Sequence, residues 1–490
     1  MTQSKVLQQD LDHQVGLFGL KMGNYACYEH DFYSSITTPE DSYFQTILPS
    51  DISKLSYADD YTQLVLPVEN ISQHVEEFED VSGTALDDVL RWWAESEEMH
   101  DISADLFLEN EGVCGSPFED IPMVLPLEDM EVEGQTSLCN LVKAYGEAME
   151  MGQRELANVI AGCVTEKASP LGGTMERLAF NLFQSGNQVD YIKQESMKNL
   201  KQAFKAFYQI FPYGRFSHLA ANSAILEAIM SYSGNVHIID FDLGEGVQWP
   251  AMLEAIGKLK REVKLTSIRT NDQSYSFEET KSRLLDHANG CGLKLEVQDI
   301  RIEDLVWEIE RSHKHEFLAF NCMVGLPHMG RTRDRSEVMQ FVRTAKKLLL
   351  VNKGIITFGD GEDLERRKDC RGFGSFFDDY IMHYHALCES MERSFPENLT
   401  EARIAMESLF VWPYVSSFSW YQKWENVSGD SEFIENVGLM GWRLSKESLM
   451  EAKEMVETYS SYNIRVEGQN NNEMVLEWRG TPLVRVSAWK

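Results

Sequence analysis

In the second half of the chain, apolar residues arrive in two alternating rhythms. Short runs at Val236–Phe241, Leu265–Ile268, Leu293–Val297, Phe317–Phe320 and Gly354–Phe358 are rich in apolar and β-branched residues. That is the pattern of strands covered on both faces. Between them lie segments long enough for helices: Glu279–Ala288, Ile302–Ser312 and Glu337–Leu350. The alternation predicts an α/β fold with a doubly wound, right-handed, mostly parallel sheet. The rhythm changes at the end, where NIRVEGQ, MVLEWRG and TPLVRVSAW are divided by turns at Asn470–Asn472 and Gly480–Pro482. A C-terminal antiparallel meander on one sheet edge is expected, with Trp478 and Trp489 packed in it.

Upstream, the period is helical. Leu138, Leu141, Tyr145 and Ala148 step by three and four, and Leu156, Val159 and Ile160 resume the stripe. Further helices are expected at Met175–Phe183 and Tyr191–Ile210, forming an α-helical cap over the sheet. The stripe either packs on its own domain or meets another chain. It is too broken for the three or four heptads that a coiled coil needs.

The chain is organised around VHIIDFDLGEGVQWP, Val236–Pro250. A buried strand carries Asp240 and Asp242 into a turn with Gly244 and Gly246, and helical spacing begins at Trp249: strand, glycine turn, helix. At the carboxyl end of such a strand, glycines and helix N–H groups can receive an anionic ligand. A nucleotide or S-adenosylmethionine loop would begin in this way. However, the third glycine of GxGxxG falls on Trp249 and that of GxGxG on Gln248, both bulky. The next strand leads into Arg269, Thr270 and Asn271 before its first acid, Asp272, so no ribose-holding carboxylate stands at its end. The favoured reading is a turn joining strand to helix, with the crevice blocked by large side chains and no cofactor. A methyltransferase using Asp242, Gly244 and Gly246 is the alternative. His237, on the opposite face of the strand from Val236 and Ile238, reads as a satisfied core histidine, and Asp240 as a carboxylate capping the turn.

Charge changes the picture of the first third. Residues 1–136 hold four basic and 29 acidic residues, a balance of −25; the remaining 41 basic and 49 acidic residues leave −8. Residues 1–134 are expected to be a disordered acidic region. Its acids are interleaved with Trp92, Trp93, Leu106 and Phe107, the composition of amphipathic activation segments, although a solvated spacer would look similar. Order is expected from about residue 135, as a helical part over 135–230 and an α/β core over 231–490.

Several chemistries find no support. There is no nucleophile elbow, P-loop or HExxH string. His313 with His315, and His383 with His385 near Cys388, are the nearest metal-like spacings. The second pair sits in a helical pattern where positions two apart face nearly opposite ways. No metal, catalytic residue or small-molecule ligand is therefore expected. Arg403 and Glu407 have the spacing of a structural ion pair. Eight cysteines without a CxxC pair suit reduced thiols. No apolar run approaches the ~18–20 residues of a membrane span, and no secretory signal is readable. The basic runs Leu259–Lys264 and Leu364–Arg371 are short, so promoter DNA is expected to be reached through a partner.

The same central motif carries a resemblance. With PYGRFSHLAANSAILEAI (Pro212–Ile229), FNCMVGLPHM (Phe320–Met329), SFFDDYIMHYHALCESME (Ser375–Glu392), the segment around Arg403 and Glu407, and WRGTPLVRVSAWK (Trp478–Lys490), it resembles the plant GRAS family of transcriptional regulators. The wording is most similar to the type 2 nodulation-signalling branch. The resemblance covers roughly residues 135–490. It implies a methyltransferase-like Rossmann core without that activity and a nuclear role in nodulation and mycorrhizal signalling and in strigolactone synthesis. It also implies association with a GRAS-family partner, the type 1 nodulation-signalling member, or a homodimer. Leu138, Leu141, Tyr145 and Ala148 fall in the family's first leucine-rich region and are the expected partner surface.

Overall fold

The computed structural model describes residues 127–184, 203–204, 206–269, 277–312, 316–329, 333–367, 370–395, 399–428, 438–457 and 461–490, with isolated positions between 185 and 202. Trp92, Trp93, Leu106, Phe107, His313 and His315 lie outside the described residues, as does most of the expected helix Tyr191–Ile210.

The chain opens with three helices, α1 (Leu127–Glu150), α2 (Arg154–Lys167) and α3 (Thr174–Leu182), followed by α4 (Pro212–Met230). Helix α1 begins upstream of the residue 135 boundary: past Pro126 the sequence LEDMEVEGQTS offers helix formers, with acids in the first turn. Then β1 (Val236–Asp240), α5 (Trp249–Lys258), β2 (Val263–Ile268), α6 (Phe277–Gly290), β3 (Leu295–Ile300), α7 (Ile302–Ser312), β4 (Phe317–Val324), α8 (Arg335–Leu349) and β5 (Gly354–Asp360) alternate. After β5 come a short α9 (Leu364–Arg367), α10 (Phe373–Ser394), α11 (Thr400–Phe410), α12 (Ser417–Ser428), α13 (Lys446–Val456) and the strands β6 (Tyr462–Glu467), β7 (Glu473–Trp478) and β8 (Thr481–Trp489).

One sheet contains all eight described strands in the order β3-β2-β1-β4-β5-β8-β7-β6. The first five are mutually parallel, and β8, β7 and β6 follow as an antiparallel meander. The doubly wound sheet and its terminal meander are thus as the sequence rhythm predicts. Because β1 leads toward β2 on one side and β4 lies on the other, the strand order reverses between β1 and β4, and the carboxyl ends there form the switch point of the fold.

Strand alternation sorts the core into two layers. Val236 and Ile238 join the large apolar cluster shared by α4, α5, α10 and the meander. Ile239 and Phe241 join a smaller one under α7 and α8, through Leu305, Phe341 and Val342. Helix α4 is buried along nearly its whole length, because it lies on the sheet against β4, β5, β7 and β8 and is flanked by α5 and α13. Helix α8 starts on a capping box in which Asp334 accepts from Ser336 N at 2.6 Å and Glu337 from Asp334 N, an arrangement worth about 1 kcal/mol.

The cap is fastened by charge as well as packing. Glu150 at the end of α1 accepts from Gly374 N at 2.8 Å, and Tyr145 sits against Phe183 and Phe377. Arg177 of α3, 2% exposed, donates twice to Glu407 of α11 at 3.1 Å and once to Glu392 of α10 at 3.2 Å. Arg403 completes the cluster at 2.9 Å from Glu407.

Candidate functional site

At the switch point, the chain's own polar side chains meet one another instead of lining a crevice. Asp240 ends β1 and is 2% exposed. Its carboxylate accepts from Trp249 Nε1 at 2.6 Å and from Asn321 Nδ2 at 3.0 Å. Asn321 on β4 also donates to Gln248 Oε1 at 3.0 Å, while its Oδ1 accepts from Gln248 Nε2 at 3.2 Å and from Thr357 Oγ1 of β5 at 3.0 Å. Gln248 reaches Asn222 of α4 in both directions, with Nε2 donating to Asn222 Oδ1 at 3.0 Å and its carbonyl accepting from Asn222 Nδ2 at 2.9 Å. All six residues are buried. A buried amide network with every arm paired is rigid, since opening any arm leaves a polar group dry. Burial pushes Asp240 up to about 6, against the lowering effect of its bonds from Asn321 and Trp249.

The glycine turn is closed from the other side. Gly244 and Gly246 have φ of +51° and +75°, the left-handed region that glycine enters without strain. Helix α6 lies against the turn: Thr280 Oγ1 donates to Gly244 O at 3.1 Å, and Arg283 binds both the carbonyl and the carboxylate of Glu245. A Cβ on Gly246 would stand 2.8 Å from Thr280 Cγ2.

These residues do not fit an adenosyl cofactor. Arg269, where a ribose acid would stand, is paired with Asp299 at 2.7 Å. Arg333 donates to the carbonyls of Phe241 and Ile268 and lies 4.5 Å from the Phe241 ring centroid, spanning the ends of β1 and β2. What remains above the turn is a depression of about 280 Å³, open solvent included, bordered by Phe204, His218, Asp242, Leu243 and Met329. Typical ligand pockets hold ~300–1,000 Å³ of enclosed space. His218 is bonded to Tyr208 Oη at 2.8 Å, and burial lowers it to about 3, so it stays neutral.

His237 is 2% exposed and shares a 2.7 Å hydrogen bond with Thr266 Oγ1, with Glu316 at 3.6 Å on its other nitrogen. Gln248 and Trp249, expected to block the crevice by bulk, close it by hydrogen bonds directed inward. Asn222, Asn321, Thr357 and Arg333 were not singled out by sequence. The available signal was an uncharged amide inside otherwise apolar runs, at Asn321 in LAFNCMV and Asn222 in LAANSAIL.

The expected partner surface is corrected. Leu138, Tyr145 and Ala148 are 1%, 8% and 3% exposed and Leu141 is half-buried, because this stripe of α1 is packed within its own domain against α3 and α10. Among the residues of this hairpin whose side chains are described, Met151, Leu156 and Val159 are large, apolar and exposed, the last two on α2 at 48% and 64%.

The model of the GRAS domain family matches residues 138–490. The chain is 28% identical to Protein Nodulation Signaling Pathway 2 of Medicago truncatula over 303 residues, covering 59% of this chain and 58% of that one. It is 27% identical to the protein of the same name in Lotus japonicus over 386 residues, covering 72% of this chain and 75% of that one. In fold it is similar to the crystal structure of SCL7 from Oryza sativa, with a TM-score of 0.53 at 22% identity, covering 72% of this chain and 99% of that one.

Proposed function

This chain belongs to the GRAS domain family, and from that premise we propose that it is a nuclear transcriptional regulator of plant symbiotic signalling that works by assembling with other proteins and not by catalysis. Two legume relatives named for nodulation signalling support the setting. Mycorrhizal signalling and strigolactone synthesis belong to the same proposal, through the branch resemblance. The observation that carries the non-enzymatic half is the sealed switch point: Asp240, Gln248, Trp249 and Asn321 satisfy one another where a methyltransferase-like sheet would hold its cofactor. Calorimetry with S-adenosylmethionine should give no heat of binding; micromolar affinity would overturn the reading.

The partner in this reading is another GRAS-type chain, a type 1 nodulation-signalling member or a second copy. Leu156 and Val159 on α2 take the place of the buried stripe as its contact, since they are apolar, one turn apart and in water. Leu156→Asp with Val159→Asp should cut co-purification at least tenfold without unfolding the domain; undiminished recovery would remove α2 from the interface. Promoter DNA is reached through that partner, in keeping with the balance of −8 outside the acidic region. Trp92, Trp93, Leu106 and Phe107 supply activation. Residues 80–134 fused to a neutral DNA-binding domain should drive a reporter more strongly than the Trp92→Ala, Trp93→Ala, Phe107→Ala version.

A further inference from the structure

Where β5 begins and β8 ends, the domain presents aliphatic side chains among cations. The stretch from Arg343 to Lys353 contains Arg343, Lys346, Lys347 and Lys353 and no acid. Leu350 and Val351, in the turn after α8, are 70% and 81% exposed. Met440, 67% exposed, belongs to the strand end: its N and O each bond Lys490 at 2.8 Å, next to Trp489, which is in register with Ile356 of β5. Gly438 lies beside the Lys346 ammonium, and Leu439 packs into the same apolar cluster as Leu349. The Lys490 ammonium stands 4.8 Å from the Trp442 ring centroid. The rim is therefore drawn from three segments, the end of α8, the residues before β5, and the strand end where Met440 pairs with Lys490, joined through Gly438 and Leu439.

We propose that this rim docks the acidic, aromatic segment Asp87–Asn110 of the same chain. A bare phosphate backbone would neutralise the lysines and leave Leu350, Val351 and Met440 wet. A purely apolar partner would do the reverse. A segment that alternates carboxylates with large apolar groups satisfies both. Residues 87–110 carry eight acids against one arginine, together with Trp92, Trp93, Leu106, Phe107 and Leu108. Their tether is short, running from Glu111 to Pro126 before α1; fully extended, these sixteen residues reach about 55 Å. A tether of that size holds the segment at an effective concentration of the order of millimolar, so weak contacts suffice. The consequence is self-masking. While docked, Trp92, Trp93 and Phe107 are withheld from other proteins, and a competitor for the rim releases them. The inference stands whether or not the segment activates transcription.

The test is zero-length carbodiimide cross-linking of the full chain at physiological salt, read by mass spectrometry on a mixture of ordinary and nitrogen-15 protein. Cross-links from Lys346, Lys347, Lys353 or Lys490 to acids of residues 87–110 are expected within one molecule. They should fall at least fivefold in Trp92→Ala, Trp93→Ala, which keeps every reacting group, and equally in Leu350→Ser, Val351→Ser. Absent links, links only between molecules, or links unchanged in both variants would overturn the proposal. So would displacement of the links by duplex DNA combined with indifference to the tryptophan substitutions, which would assign the rim to nucleic acid.

Discussion

Trp249 donates its indole N–H to the Asp240 carboxylate at 2.6 Å, tying the first residue of the helix after the glycine turn to the last residue of the central strand. In a cofactor-binding sheet those two positions face a ligand across the turn. Here they face each other, and the carboxylate that could hold a ligand is already bonded by two donors inside the protein. The domain keeps the frame of a binding crevice and uses its polar groups as cement.

Trp249→Phe keeps most of the ring packing and removes only that donor. A buried carboxylate losing a charge-assisted bond should cost about 2–3 kcal/mol. Urea denaturation should show the midpoint falling at unchanged slope; a loss below half a kcal/mol would mean that the bond contributes nothing net.

The ionisation of Asp240 gives a second test with a defined sign. Its carboxyl is raised to about 6 in the fold and sits near 3.9 in an unfolded chain. As pH rises from 4 to 6 the unfolded chain releases this proton first, so the wild type loses stability relative to Asp240→Asn, by about 3 kcal/mol in all, and the gap stays constant above that window. Stability curves of the two proteins that run parallel from pH 4 to 7 would show the carboxyl to be unperturbed.

The two glycines of the turn should respond unequally. Gly244→Ala meets only the cost of its positive φ, about 1 kcal/mol, since nothing lies within 4 Å of the added methyl. Gly246→Ala adds a collision with Thr280 on α6 and should cost about 1–3 kcal/mol more. Thr280→Ser in the Gly246→Ala background should recover part of that difference, and equal thermal shifts for the two single variants would show that α6 is free to move away.

How much of this was legible follows from what each residue touches. The sheet was readable because its inner strands β1, β4 and β5 are mostly apolar on both faces, and Ile302–Ser312 matches α7 residue for residue; the edge strand expected at Leu293–Val297 runs instead over Leu295–Ile300, where Glu296, Gln298 and Asp299 blur the apolar pattern. The meander was readable because its turns are written in asparagine and glycine. The partner stripe was not: Leu138, Tyr145 and Ala148 have the same spacing whether a helix meets its own domain or another chain, and the packing of α3 and of α10, the latter more than two hundred residues away, decides between them. The sealed site was half legible. Asp240, Gln248 and Trp249 lie within one motif, but Asn222, Asn321 and Thr357 reach it from α4, β4 and β5, and no local spacing links them.

Arg177 shows the same kind of long-range decision, and with it a consequence for the cap. Its guanidinium joins α3 to Glu407 on α11 and Glu392 on α10, while the sequence revealed only Arg403 with Glu407. Removing one member of a buried ion cluster leaves the others uncompensated, at a cost of about 3–5 kcal/mol. In Arg177→Leu that cost falls on the joint between the helical hairpin and the rest, because Arg177 makes no bond to the parallel sheet. Amide hydrogen exchange should therefore quicken at least tenfold in α1, α2 and α3, while β1, β4 and β5 keep their protection. Faster exchange throughout the sheet would show instead that cap and core unfold as one unit, and unchanged exchange in α3 would show the arginine to be dispensable. The first outcome would also leave Leu156 and Val159 on a loosened hairpin, so partner binding should weaken in the same variant even though the substitution lies outside the proposed contact.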